Sequence, residues 1–153
     1  MSKMDAPLIC VMRCKKGYAH GSVVMTESNE GIKFNIILKH IYTGAHGFHV
    51  HRYGDTTGGC KSLCEHFNPE GNEHGSINDL NSHMGDLGNL LADEDGNIIT
   101  SIVSHRLTLD MLRGRSLVLH QDQDDLGLGP FADSKTTGHS GPRVLCGVIG
   151  YKS

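Results

Sequence analysis

Two stretches without hydrophobic periodicity, Asp55 to Met84 and Gln121 to Gly141, interrupt an otherwise regular run of short strand-like segments. Loops of that length without structure of their own are uncommon in a compact domain and are usually functional. Around them the apolar runs are short and bounded by turn residues: "APLICVMRC", "GSVVMTES", "GIKFNIILKHI", "AHGFHVHRYG", two runs flanking the turn "DEDGN", "GRSLVLHQD" and "RVLCGVIGYK". No segment carries three turns of helical amphipathicity. The pattern predicts about eight strands in an all-β sandwich or barrel. The 20 glycines suit so many turns. A chain of 153 residues is read as one domain, 1–153, long enough to bury a core.

The net charge of −3, with no basic run, gives no reason to expect nucleic acid. No apolar stretch suggests a membrane partner, and "MSKMDAPLIC" reads as the start of a cytoplasmic protein.

The 11 histidines carry the chemistry. In "GFHVHRYGD", His49 and His51 are two apart, so on a strand their imidazoles share a face. A lone His-x-His is more often two solvated rings than half a metal site. The wider set changes that balance. His66, His74 and His83 lie in the first long loop with Asp86 three residues beyond, and His120 ends "SLVLH". A loop with this content is expected to be folded by a metal. Three histidines and an aspartate suit a closed zinc site, and several imidazoles suit a redox copper. Two four-ligand sites need eight positions and the candidates number seven, so one histidine would be shared through its two ring nitrogens. Among the five cysteines, Cys10 and Cys14 are expected to pack as small hydrophobes. Cys60 and Cys64 have no second pair to complete a thiolate zinc site.

The motifs "GFHVHRYGD", "EHFNPEGNEHG", "HMGDLGN", "LVLHQDQDDLG" and "GPRVLCGVIG" stand in an order and spacing that resemble the copper/zinc superoxide dismutases over nearly the whole chain. The resemblance implies an eight-stranded antiparallel Greek-key barrel. It implies His49, His51, His66 and His120 as ligands of one copper ion per chain. It implies His66, His74, His83 and Asp86 as ligands of one zinc ion per chain, with His66 as the bridge. Asp124 would link a copper histidine to a zinc histidine. Arg143 would guide the superoxide anion, and Cys60 and Cys146 would form a disulfide, leaving Cys64 free.

The implied reaction is dismutation of superoxide to dioxygen and hydrogen peroxide, with Arg143 and His66 as the catalytic residues. The implied partners are a second copy of the chain and a copper chaperone that loads the metal. Lys135 is expected to assist Arg143 in drawing in the anion. The chain departs from the family pattern at Cys64, where glycine is common. It departs also at Pro142, at Arg52, and at Arg113, where an apolar residue often serves the dimer. Residual histidines are read as structural (His46) or solvated (His20, His40, His105, His139).

Three other readings are weaker. A non-catalytic, metal-binding or decoy relative would have lost a copper histidine or the arginine. A copper chaperone would need a further metal-binding domain. A zinc hydrolase needs an open zinc position.

Overall fold

A computed structural model describes residues 6–153, so the first half of the opening segment read above as the start of a cytoplasmic protein falls outside it. Eight strands form one antiparallel sheet: β1 (Leu8–Arg13), β2 (Ala19–Ser28), β3 (Gly31–Leu38), β4 (Gly44–His51), β5 (Asp86–Ala92), β6 (Ile98–Ser104), β7 (Ser116–His120) and β8 (Arg143–Tyr151). The ladder order is β5-β4-β7-β8-β1-β2-β3-β6. Its outermost members, β5 and β6, also come into contact and close the barrel.

Strand alternation builds the core directly. In β3, Ile32, Phe34, Ile36 and Leu38 are buried while Lys33 and Ile37 face out. β1 contributes Leu8, Cys10 and Met12 to the same interior, and β7 contributes Leu117 and Leu119. The only helical pieces among the described residues are one-turn elements. A 3₁₀ turn, η1, spans Gly59–Leu63, and α1 spans Leu109–Leu112. Thr108 caps α1 by accepting from the Met111 N–H at 3.2 Å.

β4 breaks the alternation, with every residue from His46 to His51 buried. Phe48 and Val50 enter the barrel core. His49 and His51 point to the opposite face, which the two long loops cover. The order β4-β7-β8 sets this face: the β3-to-β4 and β6-to-β7 connections join strands that are not ladder neighbours, and so bring strands from different parts of the chain side by side.

Candidate metal centre

Pairing register places the first donor group. His49 lies opposite Val118 on β7, and His120 lies opposite Arg143 on β8. The β7–β8 register shifts between Leu119 and His120. Such a bulge bends the strand and re-aims a side chain. His66 returns from the first long loop to form an isolated bridge with His51.

One potential ligand atom from each of His49, His51, His66 and His120 lies within 4.8 Å of the others, and all four residues are buried. Each ring is anchored through one nitrogen. His49 Nε2 meets Asp124 Oδ2 at 2.6 Å. His51 Nδ1 donates to the Cys64 carbonyl at 2.8 Å, and His120 Nδ1 to the Gly141 carbonyl at 3.1 Å. The remaining nitrogens, His49 Nδ1 and the Nε2 atoms of His51, His66 and His120, are buried without a hydrogen-bond partner. One such orphan is costly and rare in a folded protein. Four converging orphans are an imidazole donor set, and the residues fit copper. Burial lowers all four rings: His49 and His51 fall well below the ordinary value, and His120 goes to about 4. Each is therefore neutral and free to donate a lone pair at neutral pH.

The second group is built on the loop. His66 Nδ1 lies 3.2 Å from His83 Nδ1 and 3.1 Å from Asp86 Oδ1. His74 Nδ1 is 2.8 Å and His83 Nδ1 3.4 Å from the same oxygen. A tetrahedral ion with bonds of about 2.0–2.1 Å separates its ligands by about 3.3 Å, so these atoms fit zinc. His49, His66, His74 and Asp86 also converge within 4.8 Å, but His49 Nε2 is occupied by Asp124, and His83 completes the set through its Nδ1. Asp86 Oδ2 is fixed by the N–H groups of Gly75 (2.9 Å) and His83 (3.0 Å). Burial pulls His74 down, yet the Asp124 and Asp86 carboxylates outweigh it and raise the ring to about 9. Burial likewise opposes ionised Asp86, but the imidazoles of His66, His74 and His83 hold it below the usual carboxylate range. Both shifts describe a place that demands positive charge.

Asp124 joins the two groups. Its other oxygen meets His74 Nε2 at 2.7 Å. Asn89 clamps its backbone, accepting from the Asp124 N–H at 2.7 Å and donating to its carbonyl at 3.0 Å. Gly138, at φ +75°, has no room for a side chain because a Cβ there would overlap Asp124 Oδ1 and His74 Nε2. Asn89, Gly138 and the carbonyls of Cys64 and Gly141 were not legible as site groups. Asn89 and Gly141 left a trace, inside the quoted motifs "HMGDLGN" and "GPRVLCGVIG".

Arg143 stands at the edge of the copper group. Its Nη1 donates to the Cys60 carbonyl at 2.6 Å and its Nη2 to the Cys64 carbonyl at 2.5 Å. Partial burial draws its pKa down, but a guanidinium stays charged. Cys60 and Cys146 are disulfide-bonded across 86 positions, and Cys10, Cys14 and Cys64 are free. In the chain-entropy model such a link is worth about 4–5 kcal/mol. It also ties η1, and so the carbonyls that hold Arg143, to β8.

Some expectations change. Lys135 pairs with Glu73 at 3.4 Å, so an exposed carboxylate offsets its charge. Three of the histidines read as solvated have partners: His20 Nδ1 bonds the Lys39 carbonyl, His105 Nδ1 the Glu30 carbonyl and His139 Nδ1 Asp133. His46 spans the carbonyls of His120 (2.8 Å) and Tyr42 (2.6 Å), a structural role.

Comparison with known proteins agrees with this geometry. Residues 19–149 match the family model described as copper/zinc superoxide dismutase (SODC). The chain is similar to superoxide dismutase [Cu-Zn] 5 of Dictyostelium discoideum, 42% identical over 147 residues, which cover 92% of this chain and 95% of that protein. It also superposes on the crystal structure of the clock protein EA4 with a TM-score of 0.91 and 36% identity, covering 99% of this chain and 98% of that one.

Proposed function

This chain belongs to the copper/zinc superoxide dismutase family, and from that premise we propose which of its residues carry the dismutation of superoxide to dioxygen and hydrogen peroxide. His49, His51, His66 and His120 hold one copper ion. His66, His74, His83 and Asp86 hold one zinc ion, and His66 is common to both. The observation that carries this assignment is the set of four buried, unpartnered imidazole nitrogens converging on one point.

When bound, copper supplies the one-electron couple that the reaction needs, and zinc supplies fixed positive charge. The protein does the rest. Arg143 holds the anion beside the copper group with charge and several N–H donors, its orientation fixed by two carbonyls. His66 Nε2 would alternate between donating to copper and holding a proton that it passes to the reduced oxygen species, while its Nδ1 stays beside Asp86 and His83. Asp124 keeps His49 and His74 in the tautomers that their ligand atoms require.

We assign the chain to the cytoplasm, a reading supported by its three free thiols, with a copper chaperone as the route of metal loading. We assign it also to a homodimer. Tyr53, Val148 and Tyr151 are exposed apolar groups on one side of the barrel, whereas Ile149 is buried in its own core and offers no contact. Arg113 pairs with Asp110 at 2.7 Å and lies over the Tyr151 ring at 5.1 Å, so its charge is partly covered at that face.

Reconstitution tests the assignment. With both metals supplied, analysis should find one copper and one zinc per chain, and superoxide decay should require the copper. Zinc-only loading in excess copper would overturn it.

A further inference from the structure

The segment that delivers His83 to the zinc group, Asp79 to Ser82, has no strand or helix of its own, yet its backbone is held. Ser82 folds back on Asp79: its N–H donates to the Asp79 carbonyl at 3.0 Å and its hydroxyl to the same oxygen at 2.7 Å. Carbonyls outside a strand ladder need other donors. One side chain supplies most of them here. Arg106 lies between β6 and α1, 24 to 27 positions further along the chain, and its side chain is only 9% exposed. Its Nη1 donates to the Asp79 carbonyl at 2.6 Å, and to the carbonyl and hydroxyl of Ser82 at 3.2 and 3.0 Å. Its Nη2 reaches the Leu80 carbonyl at 3.4 Å and Glu70 Oε1 at 2.8 Å.

The root of this side chain is fixed to the barrel. Arg106 N–H donates to Ser104 Oγ, at the end of β6, at 3.3 Å. Beside it, His105 N–H donates to Asn78 Oδ1 at 2.7 Å, and Asn78 Nδ2 donates to the Val103 carbonyl at 3.0 Å. Asn72 Nδ2 also bonds the Leu80 and Ser82 carbonyls, at 3.2 and 3.1 Å, but Asn72 belongs to the same loop and moves with it. Arg106 holds the segment from outside. An ion pair with the exposed Glu70 contributes little by itself. The buried fork on three carbonyls is the larger feature, and it suits a guanidinium, whose several donors are fixed in one plane, rather than the point charge of a lysine.

We propose that Arg106 is a positioning residue of the zinc group: it grips the Asp79, Leu80 and Ser82 carbonyls from the barrel, presents His83 to the ion, and so sets zinc affinity without touching the ion. The inference rests on the zinc reading above. Ser82 directly precedes His83, whose N–H donates to Asp86 Oδ2 at 3.0 Å and whose carbonyl accepts from the Asp86 N–H at 3.0 Å. His83 and Asp86 are therefore one unit, and the grip of Arg106 fixes where that unit meets the barrel. Metal binding and loop ordering are one equilibrium, so order supplied by Arg106 does not have to come from the ion. The copper group takes His49, His51 and His120 from β4 and β7, so the grip bears on one metal and not on the other.

Competition titrations on the full chain test this, for zinc and then for copper with zinc saturating. Arg106→Met keeps the buried stem and loses the fork; it should weaken zinc about tenfold, the lower end for partners that orient metal ligands, and change copper affinity less than about twofold. Arg106→Lys should recover only part of the loss, and Glu70→Gln should leave zinc affinity within about twofold of wild type. Hydrogen exchange on the metal-free wild type needs no variant. The Ser82 amide, under the grip, should exchange about tenfold more slowly than the Gly75 amide, whose partner is the Asp86 carboxylate. Unchanged zinc affinity in Arg106→Met, an equal loss for both metals, an equal loss in Glu70→Gln, or Ser82 and Gly75 amides that exchange alike would overturn the proposal. Zinc binding that His83→Ala leaves untouched would overturn the zinc reading, and the proposal with it.

Discussion

The two donor groups proposed for copper and zinc, with His66 common to both, are built on opposite principles. The copper group stands mainly on the barrel. His49, His51 and His120 project from β4 and β7, and backbone carbonyls anchor two of their rings. The zinc group stands mainly on the loop. His74 and His83 come from a segment with little regular structure, and their nitrogens are held by the carboxylates of Asp86 and Asp124. The nitrogens facing the copper point are unpaired, whereas those facing the zinc point already crowd one carboxylate oxygen. The difference teaches that one half is prepared by folding and the other is completed by its metal.

The largest effect should come from removing a barrel ligand. His120→Ala should reduce superoxide decay to the uncatalysed rate in stopped-flow assays, while metal analysis finds zinc retained. Loss of zinc along with activity would break the division between the halves.

Next comes the residue that spans them. Asp124→Asn keeps the shape but loses the charge that orients His49 and His74. Affinity for both metals should fall about 10- to 100-fold in competition titrations. A fall for zinc alone would show that His49 does not need its carboxylate.

The smaller effects concern the rim. Arg143→Ala should cost about 10- to 100-fold in rate, the value of a charge-assisted hydrogen bond of about 1.5–3 kcal/mol, with metal content unchanged. Lys135→Ala should cost less than about twofold, since Glu73 already offsets that charge and exposed pairs are screened by salt. A larger loss at Lys135 than at Arg143 would reverse the assignment of substrate capture.

The barrel was legible because apolar alternation is written residue by residue. β3 reads buried and exposed in turn over Ile32 to Leu38, as its side chains dictate. The residues brought to the site were legible because imidazole and carboxylate side chains name their own chemistry, and a resemblance supplied their roles. The anchors were not. The carbonyls of Cys64 and Gly141 belong to the backbone, which carries no sequence signature, and Cys64 holds its carbonyl in place at φ +70°. The pairing of Lys135 with Glu73 joins two loops far apart in sequence, and the His20 and His139 partners likewise depend on how loops settle.

Hydrogen exchange on the metal-free and zinc-loaded protein tests the central contrast most directly. The account predicts that zinc binding raises protection across residues 66–86 by a large factor, while the amides of β4 and β7 are protected in both forms. A loop equally protected without zinc, or β4 and β7 that gain protection only with it, would contradict the view that the barrel prepares one half of the site and the metal completes the other.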